Sequence, residues 1–257
     1  MLLLGCVLSV VPAHADIRGL PSVTVLADSS LTHPLTELMR TYSRQHNISV
    51  TAEYGSSSEL AEQIEQGEVA DVFISGHSTW IVRLKQLGLL DVYTLTSLAQ
   101  NRLVFAVPTR HVLAERYKEK TDAKQFLNAI TTKEVPVAIL VVGDPEDTPL
   151  GVYTAEVLRK FGLLKKLKPV LLPAINSAQA LYLIAQGENP GIIYASDAYN
   201  NTQVKVIAEI DPSLHESITY QAAVVAGEYM EQAREFVEYL KSPEAQKVFE
   251  SYGFITN

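Results

Sequence analysis

Short β-branched apolar runs alternate along this chain with stretches whose apolar residues recur every three or four positions. Residues 22–27 (Ser-Val-Thr-Val-Leu-Ala) form the first such run and read as a buried strand. Leu31, Leu35, Leu38, Met39 and Tyr42 then share one helical face, with Pro34 in the first turn, where its missing N–H is harmless. Residues 48–53 are a second strand. Leu60, Ala61 and Ile64 mark a second helix that stops at Gly67, and residues 70–75 are a third strand. Trp80, Ile81, Leu84 and Leu87 mark a third helix ended by Gly88. Such alternation with short connections predicts an α/β fold with a largely parallel sheet.

The pattern resumes after residue 102. Strands are expected at 103–107 and 135–142, with a more polar, partly helical stretch at 109–133 between them. Gly143-Asp144-Pro145-Glu146-Asp147-Thr148-Pro149-Leu150-Gly151 is a turn-rich loop that leads into a helix ending at Gly162. Strands at 169–172, 191–194 and 204–210 follow, with a helix from Ser177 to Gly187 after the first of them. A last strand near 218–226 precedes two helices without strands of their own, which most simply pack back on the first unit. The expected organisation is a leader (1–15), a discontinuous first lobe (16–103 and 220–257) and a second lobe (104–219). Strands 103–107 and 219–225 make the crossings, and the cleft between lobes is the default ligand site.

Two turns stand out within this frame. Ala27-Asp28-Ser29-Ser30-Leu31-Thr32 lies where a strand ends and a helix begins, and Tyr54-Gly55-Ser56-Ser57-Ser58-Glu59-Leu60 repeats the arrangement. Small hydroxyl residues at a helix N-terminus, with its free N–H groups and positive dipole end, make a ready anion site. The duller reading is that these serines only cap helices.

Composition narrows the partners. The 257 residues carry a net charge of −8, which argues against nucleic acid, so any bound anion is held locally against the overall field. Residues 1–12 are apolar and run into Ala13-His14-Ala15-Asp16, a secretory leader with cleavage after Ala15 that is too short to span a bilayer. The rival reading of Leu3-Leu4-Gly5-Cys6 is a lipid anchor on Cys6. Cys6 is the only cysteine, so the mature chain has no disulfide and no thiolate metal site. The six histidines (14, 33, 46, 77, 111 and 215) show no metal-ligand spacing and read as surface or loop residues.

With these residues in view, the chain resembles the periplasmic molybdate-binding proteins of ABC uptake systems over essentially its whole mature length. The resemblance rests on the Ser-Leu-Thr turn at 30–32, Ser-Ser-Ser-x-Leu-Ala at 56–61, and Ala70-Asp71-Val72-Phe73-Ile74-Ser75 followed by Trp80. It extends to Gly143-Asp144-Pro145-Glu146 with Pro149-x-Gly151-x-Tyr153, to Gly191-Ile192-Ile193-Tyr194-x-Ser196-Asp197-Ala198, and to Tyr252-Gly253-Phe254. It implies a two-lobed type II binding-protein fold with a two-strand hinge, closing on its ligand. It also implies a monomer that is not an enzyme, works in the periplasm and passes molybdate or tungstate to an ABC permease and ATPase. No cofactor and no direct protein–metal bond are implied. By position, Ser30 and Ser57 would donate hydroxyl and backbone N–H groups, Leu150 and Ser177 backbone N–H groups alone, and Tyr194 a phenolic O–H.

Other residues read more plainly. Trp80 is core packing. Asp144 and Glu146 around Pro145 are a structured turn rather than an acid–base pair or a Ca²⁺ loop. No Gly-x-Ser-x-Gly elbow occurs. Asp28 departs from the family, which has a small apolar residue there. A carboxylate about 5 Å from a dianion costs roughly 6–7 kcal/mol at an effective dielectric of about 20. Asp28 is therefore expected to point away, bonding backbone N–H groups, or to be protonated when ligand binds. The alternatives are another oxyanion or small ligand that uses Asp28, or a periplasmic enzyme using the cleft carboxylates.

Overall fold

The computed structural model describes residues 21–227 and 230–256. The expected leader and Cys6 lie outside them. The first half runs β1 (Ser22–Asp28), a 3₁₀ turn (Ser29–Leu31), α1 (Thr32–His46), β2 (Ser49–Gly55), α2 (Ser57–Glu65), β3 (Val72–Ser75), α3 (Ser78–Gln86) and β4 (Leu90–Gln100). The chain then passes to β5 (Leu103–Pro108), α4 (Val112–Arg116), β6 (Thr121–Asp122), α5 (Ala123–Thr131), β7 (Leu140–Gly143), α6 (Pro149–Lys160) and α7 (Leu164–Leu167). β8 (Leu171–Ala174), α8 (Ser177–Gln186), β9 (Gly191–Tyr194), α9 (Ala195–Ala198) and β10 (Val204–Glu209) complete that part. β11 (Thr219–Val225), α10 (Met230–Leu240) and α11 (Pro243–Ser251) follow.

These strands form two sheets, ordered β2-β1-β3-β11-β4 and β6-β10-β5-β9-β7-β8. Each sheet is mixed rather than largely parallel. β1 is parallel to β2 and β3, but β11 returns antiparallel between β3 and β4, and β5 is antiparallel to both β10 and β9. The chain crosses twice between sheets, from β4 into β5 and from β10 into β11. The crossings are tied together where Asn101 N–H donates to the Ile218 carbonyl at 3.0 Å. Strand β7 starts at Leu140, not at 135, because Val135 is drawn back to α5 through its N–H on the Ala129 carbonyl.

The first sheet is covered on both faces, which explains the near-continuous apolar character of β1. Val23, Val25 and Ala27 pack in the cluster that includes Leu35, Leu38, Phe236 and Phe249 of α1, α10 and α11. Leu26 points the other way, to Leu60, Ile64, Trp80 and Leu84 of α2 and α3. The terminal helices thus pack against the first sheet and α1, and Trp80 is core.

Register is what positions the serine turns. In the β1–β2 ladder Asp28 lies opposite Gly55, so the segments leaving both strands start side by side. The β7–β8 ladder does the same for Gly143 and Ala174, ahead of α6 and α8. The start of α6 is clamped against the end of β7. A Cβ on Gly151 would come within 1.8 Å of the Asp144 carbonyl oxygen, with backbone rather than a movable side chain in the way. Gly151→Ala is therefore expected to cost about 3 kcal/mol, lowering Tm by roughly 6–12 °C for a chain of this size. A thermal melt within 2 °C of wild type would show that this loop yields.

Candidate anion site between the two sheets

Three of the four helix starts at this crevice have their cap supplied by a neighbour of the predicted ligand residue. Asp28 caps the 3₁₀ turn by accepting from Ser30 N–H. Thr148 caps α6 by accepting from Gly151 N–H, and Asn176 caps α8 by accepting from Gln179 N–H. The cap position of α2 is Ser56, whose hydroxyl is bonded to Ser58 instead. Ser30, Ser57, Leu150 and Ser177 therefore lie within first turns, not at caps, and the plain capping reading does not account for Ser30 and Ser57. All four are buried. The Asp144 carboxylate accepts from Glu146 N–H at 3.0 Å and its carbonyl from Thr148 N–H, which makes 144–148 the structured turn expected.

The structure brings Ser30 and Ser57 together through Asp28, and this corrects the expectation that Asp28 points away. Its carboxylate is buried in the site. One oxygen accepts from the Ser30 hydroxyl at 2.7 Å and from Ser30 N–H at 3.2 Å; the other accepts from the Ser57 hydroxyl at 2.7 Å. The Ser57 oxygen in turn accepts from Gly76 N–H at 3.0 Å. Burial raises the Asp28 pKa, and the hydroxyl and backbone bonds of Ser30 and Ser57 oppose that rise.

Ser177 is brought in from the second sheet, its hydroxyl 2.9 Å from that of Ser29. Leu150 lies one turn before Tyr153, whose phenol donates to the Gly76 carbonyl at 3.0 Å. Tyr194 ends β9, buried, with its hydroxyl unpartnered and its ring against Tyr220. Sequence reasoning missed Tyr220, Asn101, Ser29 and Tyr153. Tyr220 bonds the Ser30 hydroxyl at 2.7 Å and accepts from Asn101 Nδ2 at 3.2 Å. Tyr153 stood in the motif Pro149-x-Gly151-x-Tyr153, a signal that could have flagged it; nothing local marks Tyr220. Ser29, Ser30, Ala178, Asp197 and Tyr252 line one cavity at the mouth of the crevice.

Two histidines are not surface residues. His77 and His215 are 5% and 6% exposed; His77 is covered by Tyr153 of the other half, and His215 lies against the same ring. His77 packs on the Tyr153 ring at 4.8 Å, and burial holds its pKa low, opposed by Glu216 and Glu156. The His77, Glu156 and Glu216 ligand atoms lie within 4.8 Å of one another. His77 Nδ1 accepts from Thr79 N–H, which leaves the proton of the neutral ring on Nε2, an atom that is buried without a hydrogen-bond partner.

Comparison with known proteins follows the same lines. A family profile described as bacterial extracellular solute-binding protein matches residues 23–255. The molybdate-binding protein ModA of Escherichia coli K12 is 34% identical over 252 residues, covering 97% of this chain and 95% of that protein. A solved substrate-binding domain of a putative molybdenum ABC transporter from Clostridium difficile is 30% identical. It covers 92% of this chain and 99% of its own, with a TM-score of 0.68. The periplasmic molybdate-binding protein of Azotobacter vinelandii has a TM-score of 0.79 at 19% identity, with 91% and 99% covered, and supports the fold.

Asp197 gives the site a testable pH dependence. Asp197 is half-buried with one carboxylate oxygen enclosed, and its carboxyl is pushed up to about 8, first by burial and then by the charge of Asp28, against one bond from Tyr194 N–H. A folded pKa above the unfolded one means that the folded state keeps a proton the unfolded chain releases. This contribution is complete below about pH 4 and is lost as pH rises toward 8. Asp197→Asn is expected to flatten part of that decline and to stabilise the protein by on the order of 1 kcal/mol at pH 7.5. Urea unfolding at pH 5 and 7.5 checks it; an unchanged difference between the two pH values would assign the proton elsewhere.

Proposed function

The chain belongs to the bacterial extracellular solute-binding proteins, and we propose that its solute is molybdate, with tungstate held by the same contacts. It is a binding protein and not an enzyme. The finer reading places it in the periplasm as a monomer, delivering the anion to an ABC permease and ATPase. Its lobes divide at 16–103 with 220–257 and at 104–219.

The proposed ligand shell is Ser30, Ser57, Leu150, Ser177 and Tyr194. One observation carries it. Three of these residues stand in first turns capped by a neighbour, Ser57 opens a helix that has no side-chain cap, and Tyr194 keeps a buried hydroxyl with no partner. Unpaired buried hydroxyls are costly, and a ligand oxygen accepting from Tyr194 would remove that cost. First-turn N–H groups suit an anion whose oxygens only accept. Molybdate and tungstate are such tetrahedral dianions, whereas hydrogen phosphate has a proton that an all-donor shell leaves unpaired.

Thermal unfolding with molybdate, tungstate, sulfate and phosphate tests the reading. A ligand at a thousandfold excess over Kd adds about 4 kcal/mol, or roughly 8–16 °C. That shift is expected with molybdate and tungstate and not with sulfate; no shift with any of the four would reject the anion site. Tyr194→Phe is the sharpest single change, since its hydroxyl bonds nothing in the protein. Its melting point without ligand should match wild type while molybdate affinity falls about tenfold, a loss of ~1.4 kcal/mol. Undiminished affinity would remove Tyr194 from the shell.

A further inference from the structure

We propose that Asp28 is a tethered carboxylate occupying the first-lobe half of the anion site, and that an oxyanion enters only together with one proton taken from solvent onto Asp28. The proposal rests on the anion reading of this site and adds what governs its occupancy.

The bonding pattern carries it. Asp28 receives what an oxyanion would receive from this half of the site: both hydroxyls and the backbone N–H groups of the Ser30 and Ser57 turns. Those hydroxyl protons are fully spent. The Ser57 oxygen accepts from Gly76 N–H and so gives its single proton to Asp28. Ser30 is supplied in series. Asn101 Nδ2 donates to the Tyr220 oxygen, Tyr220 donates its proton to the Ser30 oxygen, and Ser30 donates to Asp28. While Asp28 is ionised, neither the Ser30 nor the Ser57 hydroxyl proton is left for a second acceptor. Gly76 closes the space behind the carboxylate, since a Cβ there would lie 3.1 Å from the same oxygen that Ser57 binds.

Charge leads to the same place. The ionisable groups that face Asp28 are Tyr220 on β11, Tyr194 on β9, Tyr153 on α6 and Asp197 on α9, and each is raised by the Asp28 charge. Burial is the larger cause of the rise in each and the Asp28 charge adds to it; none is a cation, and what acts on Asp28 is burial and the serine bonds alone. A dianion arriving beside an ionised Asp28 meets repulsion with no counter-charge, so the remaining neutraliser is a proton. Once protonated, Asp28 reverses its role. Its O–H becomes a donor toward the ligand, the serine hydroxyls are released to turn toward the anion, and the shell becomes donating throughout. Between the Asp28 pKa of the free protein and the higher one of the complex, binding takes up one proton, and affinity falls as pH rises.

Calorimetric titration of the mature protein with molybdate from pH 5.5 to 8, in two buffers of different ionisation enthalpy, tests this directly. Wild type is expected to take up close to one proton per anion and to weaken by up to about tenfold per pH unit. Asp28→Ala should bind at least tenfold more tightly than wild type at pH 8, with no proton uptake at this residue. Asp28→Asn keeps the shape without the charge and should likewise lose the pH slope. Wild-type binding without proton uptake, or an Asp28→Ala affinity no higher at pH 8, overturns the proposal and leaves the molybdate reading standing. Tighter binding of hydrogen phosphate than of molybdate by wild type, reversed in Asp28→Ala, overturns it as well, because Asp28 would then serve as an acceptor for the ligand's own proton. Binding of molybdate by none of the three proteins at any pH overturns the anion reading and the proposal together.

Discussion

Helix first turns that their own ladders cannot satisfy are the constraint on which this molecule is built. An α-helix leaves its leading N–H groups unpaired, and burying them demands an acceptor. Here α1 with its 3₁₀ lead-in, α2, α6 and α8 all begin at the carboxyl ends of strands and are buried there. Side-chain caps from Asp28, Thr148 and Asn176 each meet one N–H, and the remainder have to be met by something in the crevice. In the first lobe the acceptor is the chain's own carboxylate. A buried acid with no cation beside it is otherwise an expensive feature, and the serine turns are what make it tolerable.

Topology makes the convergence possible. Parallel neighbours release their chains at the same edge, and ligands of open α/β sheets gather at that edge. The ladder that sets Asp28 opposite Gly55 brings two serine turns into one space; the ladder that sets Gly143 opposite Ala174 does so for α6 and α8. A one-residue slip in either would turn the serines to the opposite face. The returning strand β11 adds Tyr220 from the far end of the chain, which is why the donor series to Asp28 closes only in the folded protein.

The side-chain hydrogen bonds that join the two halves at the crevice include Ser29 with Ser177, Tyr153 with Gly76 and Asn101 with Ser196, none of them between charged groups. Each is worth about 1 kcal/mol net. A ligand that touches both halves can favour their contact only by its differential affinity for the closed form. His77 is buried against Tyr153 of the other half, so its environment reports on that contact.

Local chemistry determined much of this protein. Most of the order of strands and helices, though not β4, the helix stops at Gly67, Gly88 and Gly162, the core role of Trp80 and the two serine turns follow from periodicity, capping and turn preference, which act over a few residues. The structured turn at 144–148 follows for the same reason, and the family was legible because its motifs are short and ordered along the chain. Tertiary structure alone decided the rest. The direction of the Asp28 side chain depends on a 3₁₀ turn and on hydroxyls reaching it from a second strand–helix unit. Tyr220 meets Ser30 across a separation of 190 residues. The antiparallel return of β11 makes mixed sheets of what the alternation suggested was parallel, because strand direction is set by where a crossing re-enters and not by the strand's own residues. The burial of His77 against Tyr153 needs both halves in contact. These features are relations between distant segments, and a distant partner leaves no mark on the periodicity of either one.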